Sequence, residues 1–443
     1  MSKDWTAVAL AALDEAWLHG LLRDLVETPS PTGSERACAQ ALTAALKSRG
    51  LPAQYQAITD ERGNSITRLS ATGNNAGGRD LLLYGHFDTS FTGDLTEDFP
   101  VQGREPRPDL ELVLRREPHA GGDSGRDAGG ELLTGLGVGN PKGGAACAAA
   151  AMDAVARAGV PLSGDLVLGI VSGGIHKRPV QGLARDYVGS AYQGFGIGCE
   201  YMLKHGVTAD LAISTKPGWG VIHEEPGECW FEVEIAGRLV YSGLRHVVPN
   251  RNPIGDAARL YDAFEAWLPG YTARHTTAGS QVSPTGAIGA IEAGWPYKPE
   301  FSPAVCRLYA NLHTAPGCAP REVRREFSAF IDSVRAAHPD MRVEWQMLLS
   351  QPGSRTDPSS SIVGICTRAW EATEGRAHPA ISGMSGTTDG NVLRNFGIPT
   401  VRMGLPGLAS AEYPPMYDAC RVTDLRKLAQ TYVRAIVEAC GPQ

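Results

Sequence analysis

The sequence has no CxxC pair, and its nine cysteines, from Cys38 to Cys440, are odd in number and widely spaced. That excludes a compact framework of paired disulfides and predicts reduced thiols in a cytosolic protein. No run of about 20 apolar residues occurs, so no membrane span is expected. The stretch MSKDWTAVALAALDEAW carries acidic residues inside its apolar part. It reads as an amphipathic helix and lacks the uninterrupted apolar core of a signal peptide. Positive charge is not in excess: 41 Lys and Arg stand against 48 Asp and Glu, a net charge of −7. Such a chain has no global electrostatic reason to seek nucleic acid or anionic lipid. A phosphate-binding GxxxxGK loop ending in Ser or Thr is absent too, as are internal repeats and low-complexity tracts.

What is present is a chain of 443 residues, 42% hydrophobic and 20% charged. That is the composition of a globular protein of two or three domains, not of a disordered, coiled-coil or fibrous one. Residues 5–50 read as two helices split by the turn TPSPTGSE at 28–35. DLLLY at 80–84, DLVLGIV at 165–171 and ADLAIS at 209–214 are continuous apolar runs and read as buried strands. The stretch 99–131 is rich in Gly, Pro, Asp and Arg and reads as a long surface excursion. An alanine-rich helix follows GNPKGG. Apolar strands alternating with helices predict an α/β fold with a mostly parallel sheet flanked by helices. Near Trp230 the pattern changes. WFEVEIAG alternates strictly, and a helix over 253–267, strands near 285–293 and 304–313, a helix over 320–337 and the alternating MRVEWQMLL follow. This predicts an α+β unit at 224–350, inserted between the two parts of the α/β domain, 1–223 and 351–443.

Three segments could carry chemistry. GHFDTS at 85–90 follows a buried strand, and ligands of open α/β sheets sit at strand carboxyl ends. His86 and Asp88 project to one side of an extended chain, where a carboxylate can fix an imidazole tautomer. The pair is either functional or a hydrogen bond that stabilises the turn. GVGNPKGGAA at 137–146 offers backbone amides at a helix start beside Lys142. An anion could sit there, or the segment is an ordinary glycine-rich turn. SGMSGTTDG at 382–390 opens another helix. Asp389 can cap it and Thr387 can add a hydroxyl, and on its own the segment reads as structural.

Taken together, GHFDTS, GLGVGNPKGG and SGTTDG resemble the motifs GHxDxVP, GRGxxDxKGG and GTTD or GTSD. These belong to the dizinc aminoacylase, acetylornithine deacetylase and succinyl-diaminopimelate desuccinylase family of exopeptidases and amidohydrolases. HEEPGECWFEVEIAGRLVYSG resembles the first strand of that family's inserted lid, and GIPTVRMGLPGLASAEYPPMYDACRVTDL resembles its closing segment. The resemblance covers nearly the whole chain. It implies an α/β catalytic domain with an α+β lid that also dimerises.

The ligands of the two zinc ions transfer poorly. By the resemblance His86 keeps the place of the first ligand and Asp88 that of its orienting carboxylate. Asn140 stands at the bridging carboxylate, Ser172, Gly173 and Gly174 at the acidic pair, and Lys216 at the next carboxylate. The late His should lie a few residues before Glu412, and Leu408, Ala409, Ser410 and Ala411 stand there instead. Zinc takes about four N, S or O ligands, and one His, one Asn and one Lys do not supply them. Tyr241 stands where the lid carries a His, and His313 where it carries a substrate-binding Arg.

The expectation is therefore an enzyme acting on a small amide, amino-acid-derived or carboxylate-bearing compound in a cleft between the two domains. The chemistry expected is metal-independent acid–base hydrolysis, elimination or isomerisation. His86, Asp88 and Lys216 are the expected catalytic residues. Asn140, Lys142, Tyr241, His313, Thr387 and Asp389 are expected to bind substrate. No cofactor is expected. Zinc enters only under a second reading, a metal-dependent amidohydrolase that finds ligands among His176, Glu200, His223, Glu224 and Glu225. A third reading is a non-catalytic ligand-binding relative. The expected partners are a small molecule and a second copy of the chain, in the cytoplasm.

Overall fold

The computed structural model describes residues 3–72, 78–103, 107–119, 130–180, 191–408 and 417–442. The chain divides into two compact units. The first is Met1–His223, Thr356–Ala380 and Thr388–Gln443; the second is Glu224–Arg355 and Ile381–Thr387.

The first unit is built on a six-stranded sheet. Its order is Ala53–Ala57, Gly63–Leu69, Leu166–Val171, Leu81–His86, Leu211–Ser214 and Thr400–Arg402. The last four run parallel, and the first two add antiparallel at one edge. Leu81–His86 and Leu166–Val171 are buried at every residue, as strands covered on both faces must be. Alternation divides one strand between two cores. Leu81 and Leu83 pack with the helices Glu15–Glu27, Gly143–Arg157 and Val422–Cys440, while Leu82 and Tyr84 pack with Cys199, Met202 and Leu393. The alanine-rich helix Gly143–Arg157 lies close to the chain beyond the sheet. A Cβ on Gly144 would stand 2.3 Å from the Thr215 carbonyl oxygen.

The sequence reading departs from this in three places. The helical stretch before residue 28 is two helices, Trp5–Ala11 and Glu15–Glu27, each capped by an aspartate, Asp4 and Asp14. The strands Ala53–Ala57 and Gly63–Leu69 lack long apolar runs, because the outer one is half exposed. The surface excursion contains the strand Arg115–His119, and Gly130–Thr134, which begins at its end, pairs with that strand on one side and with Ala419–Arg421 on the other.

The second unit is a four-stranded antiparallel sheet in the order Gly286–Ala293, Val305–Thr314, Gly227–Ala236 and Arg342–Gln351. Burial along Val305–Thr314 alternates strictly, so one face is wet and one is packed. The packed face meets the helices Pro253–His275 and Pro320–Ala337; Phe231 stacks on Phe327 with centroids 4.0 Å apart. The first of these helices outlasts its expected end and continues through Pro269. Fully buried Tyr271 anchors its last turns. Residues 381–387 join this unit because Met384 bridges to Val282 and exchanges backbone bonds with Gln281 and Ser283.

Candidate active site

His86 is the last residue of its strand and is fully buried, as is Asp88 two residues on. Their side chains meet, Nδ1 to Oδ1, at 2.8 Å. Asp88 also accepts from the amides of Gly174 at 2.8 Å and Ile175 at 2.9 Å, and from the Thr32 hydroxyl at 2.9 Å. Burial acts to raise the Asp88 pKa. The His86 ring, the Ile175 amide and the Lys216 charge outweigh it and hold the carboxylate well below its usual range. An ionised carboxylate only accepts, so Nδ1 carries the proton and Nε2 carries the lone pair. Burial first, then the charge of Lys216, lowers the His86 pKa to about 4, so the ring is neutral near pH 7. Nε2 is buried and has no hydrogen-bond partner among the described residues. The dyad thus presents one unspent basic nitrogen.

Lys216 follows the strand Leu211–Ser214 and is buried. Its charge acts on His86, Asp88 and Asp389 together, which places the four groups in one electrostatic neighbourhood. Asp389 does not cap its helix as expected. Its Oδ2 accepts instead from the Tyr84 hydroxyl, and its Oδ1 has no hydrogen-bond partner among the described residues. Burial raises its pKa to about 6; the Tyr84 bond, His176 and Lys216 oppose the rise. Tyr84 escaped the sequence reading because it sits inside an apolar run with nothing to mark its hydroxyl.

Lys142 departs from expectation. It is fully buried, and its Nζ donates to the Thr28 carbonyl at 3.0 Å, so it props a neighbouring turn rather than opening to a ligand. The anion expected on the glycine-rich loop is the chain's own. The Asp418 carboxylate accepts from the amides of Gly137 and Gly139, each at 2.6 Å, and from Asn140 at 3.3 Å. No local pattern marks Asp418, which lies about 280 residues from its partners. The Asn140 side chain is exposed.

Tyr241, His313 and Thr387 belong to the second unit. Tyr241 is exposed and leans on Phe301. His313 Nε2 stands 3.7 Å from Glu228 Oε1, and its Nδ1 is buried without a hydrogen-bond partner among the described residues. A buried ion pair that the sequence did not announce, Glu35 with Arg62 at 3.0 Å, lies beside the dyad. Burial and the charge of Asp88 raise the Glu35 pKa to about 7 against the pull of Arg62.

A dinuclear metal centre at this edge would need several ligands converging with His86. His86 Nε2 suits one metal bond. The residues after the strand Leu166–Val171 do not add to it. Gly173 has φ +70°, and a Cβ there would lie 2.3 Å from Arg62 Nη2. A Cβ on Gly174 would lie 2.4 Å from His86 Cγ. Carboxylate side chains have no room at either position. Among the spare candidates, Glu200 faces solvent paired with Lys204, and His176 stacks on Phe195. Among the described residues no group of three or more His, Cys, Asp and Glu is placed to hold an ion. These residues do not fit a dinuclear centre. Asp186 and Glu412 lie outside the described residues.

Solved structures resemble the whole chain. The dipeptidase Dug1p of Saccharomyces cerevisiae is 13% identical with a TM-score of 0.69, over 99% of each chain. The aminopeptidase PepT of Bacillus cereus is 17% identical with a TM-score of 0.64, over 97% of this chain and 99% of its own. The YXEP protein of Bacillus subtilis, described as a dinuclear metal-binding peptidase, is 13% identical with a TM-score of 0.58, over 96% and 99%. At such identities the likeness shows the fold. The sequence model of peptidase family M20/M25/M40 matches residues 82–438. The expectation that no cofactor belongs to this protein is corrected by these findings: the fold is shared with a dinuclear metal-binding peptidase, and the family is one of metallopeptidases. With most of its length matched, the chain belongs to the peptidase family M20/M25/M40.

Proposed function

We propose that this protein hydrolyses an amide bond in a small peptide or acylated amino acid, at the carboxyl edge of the sheet in its first unit. The observation that carries the reading is the buried, unpartnered Nε2 of His86, held in one tautomer by Asp88, in a chain of this peptidase family. A neutral imidazole with a fixed lone pair can take a proton from a nucleophile and return it to a leaving amine. The positive charge of Lys216 favours the negative charge that develops on the carbonyl oxygen, or holds a substrate carboxylate. Asp88 is a positioning residue: one of its four hydrogen bonds goes to the ring, the other three hold the ionised carboxylate in place, and it has no proton of its own to give.

Nε2 is a single lone pair. It serves either as proton acceptor or as one metal ligand, and one preparation tests both roles. Protein purified without chelator is analysed for metal and assayed on dipeptides and N-acyl amino acids, beside His86→Ala. Turnover lost by about 100-fold or more in the variant supports the reading. Metal content that falls in parallel assigns Nε2 to the metal; unchanged content assigns it to the proton. A wild-type protein, supplemented with zinc, cobalt or manganese, that cleaves no member of the panel refutes the reading.

We further infer a homodimer formed through the second unit, the assembly implied by the lid resemblance. Leu239, Val247, Trp295 and Tyr297, all in that unit, are 57–91% exposed. Large apolar side chains in such number on one unit favour a protein partner. No described helix is long and apolar enough to cross a membrane. All nine cysteines are free thiols, which supports a reducing compartment such as the cytoplasm.

A further inference from the structure

A cavity of about 380 Å3 lies within the first unit. Its wall includes Thr89, one residue past Asp88; Ile175, one past Gly174; Pro217, one past Lys216; and Asn140. The segments that carry Asp88, Gly174 and Lys216 therefore also contribute to this wall, and the cavity adjoins the carboxyl edge where His86 stands. Phe91 and Leu136 add apolar surface.

The charged residues on the described wall are satisfied inside the protein. Arg107 makes a two-pronged bond to Asp109, Nε to Oδ1 at 2.8 Å and Nη2 to Oδ2 at 2.6 Å. The Asp418 carboxylate is held by the loop amides of Gly137 and Gly139. A charged guest would lose its water and gain no partner of opposite charge among these groups. An apolar guest loses nothing and buries surface against Phe91, Leu136 and Ile175. The volume sits at the small end for ligand pockets and is ample for one apolar substituent.

We propose that this cavity is a specificity pocket that receives one uncharged, apolar substituent of the substrate, of branched-chain or phenyl size, next to the scissile amide. The proposal rests on the amide-hydrolysis reading above and names the substrate class that reading leaves open. Phe91 is the specificity-determining residue on its wall.

Two series of compounds test it: N-acylglycines from acetyl to benzoyl, and glycyl dipeptides from Gly-Ala to Gly-Phe, with Gly-Asp and Gly-Lys as charged counterparts. Binding is measured by calorimetry and turnover by amine release. In at least one series the phenyl member should exceed the smallest member by about tenfold or more in kcat/KM, with the charged dipeptides below both. Phe91→Ala should bring that ratio down towards one. Val101→Glu, at an exposed position on the wall, should lower it as well and does not threaten the core. A flat ratio in both series, in an enzyme that cleaves them, overturns this proposal and leaves the reaction standing. Tight binding of the phenyl compounds without cleavage by metal-supplemented protein supports the pocket and overturns the reaction. Neither binding nor cleavage overturns both.

Discussion

Adding one methyl group at position 174 measures how tightly the site is built. The Cβ of Gly174→Ala would lie 2.4 Å from His86 Cγ, 2.6 Å from Cδ2 and 2.8 Å from Cβ. Those distances are shorter than any contact carbon atoms tolerate, and His86 is fully buried with nowhere to retreat. Either the ring moves and its 2.8 Å bond to Asp88 breaks, or the backbone of 174–175 moves and takes two amides from the same carboxylate. Overpacking of this kind costs about 1–3 kcal/mol. A lost bond to a charged group costs about 1.5–3 kcal/mol. With partial relaxation the sum is about 3 kcal/mol, a fall in melting temperature of about 3–5 °C. Turnover should fall with it, because Nε2 loses its fixed direction. Gly255→Ala is the control. Nothing lies within 4 Å of its Cβ, and in the helix Pro253–His275 alanine should stabilise by about 0.5–1 kcal/mol. Urea unfolding and amide turnover of both variants decide the matter. A Gly174→Ala protein with wild-type stability and wild-type turnover would refute the packing of His86 against the loop, and with it the argument that no carboxylate fits there.

Lys216→Ala should lower turnover by about tenfold or more while Lys216→Arg restores part of it; equal rates in all three proteins would remove Lys216 from the chemistry. Asp389 has its folded pKa raised to about 6 from 3.8, so the native state binds the extra proton and stability falls as pH rises from about 4 to about 6. Asp389→Asn should abolish that slope and gain up to about 3 kcal/mol at pH 7, and urea midpoints that track wild type at both pH values would contradict the assignment. Arg62→Met strands the buried Glu35 carboxylate and should cost about 3–5 kcal/mol, most of it recovered in Arg62→Met with Glu35→Leu; no recovery in the double variant would show that the loss came from elsewhere. Ile291→Asp, on the exposed strand Gly286–Ala293, should shift the protein to a monomer by light scattering if the second unit dimerises through that edge. A wild-type protein that is already monomeric at micromolar concentration would remove the dimer from the reading.

Local pattern was enough for the elements whose residues carry a strong period. The apolar runs at 81–86 and 166–171 and the alternation at 305–314 could pack in only one way, so composition alone determined that one layer is buried on both faces and another on one. The dyad was legible for the same reason: His86 and Asp88 are two residues apart, and the geometry of an extended chain brings them together. What the sequence could not determine was the far half of every polar network. Asp418 meets the glycine-rich loop and Asp389 meets Tyr84 across separations of about 280 and 305 residues, and no periodicity encodes such meetings. The loop at 137–140 read as an open anion site until the fold delivered a carboxylate to it, and Lys142 read as a ligand until the core closed over it. Gly173 and Gly174 read as missing ligands. Only the packed structure shows that Arg62 and His86 already occupy the space a side chain would need, because steric exclusion is a property of neighbours in space rather than in sequence.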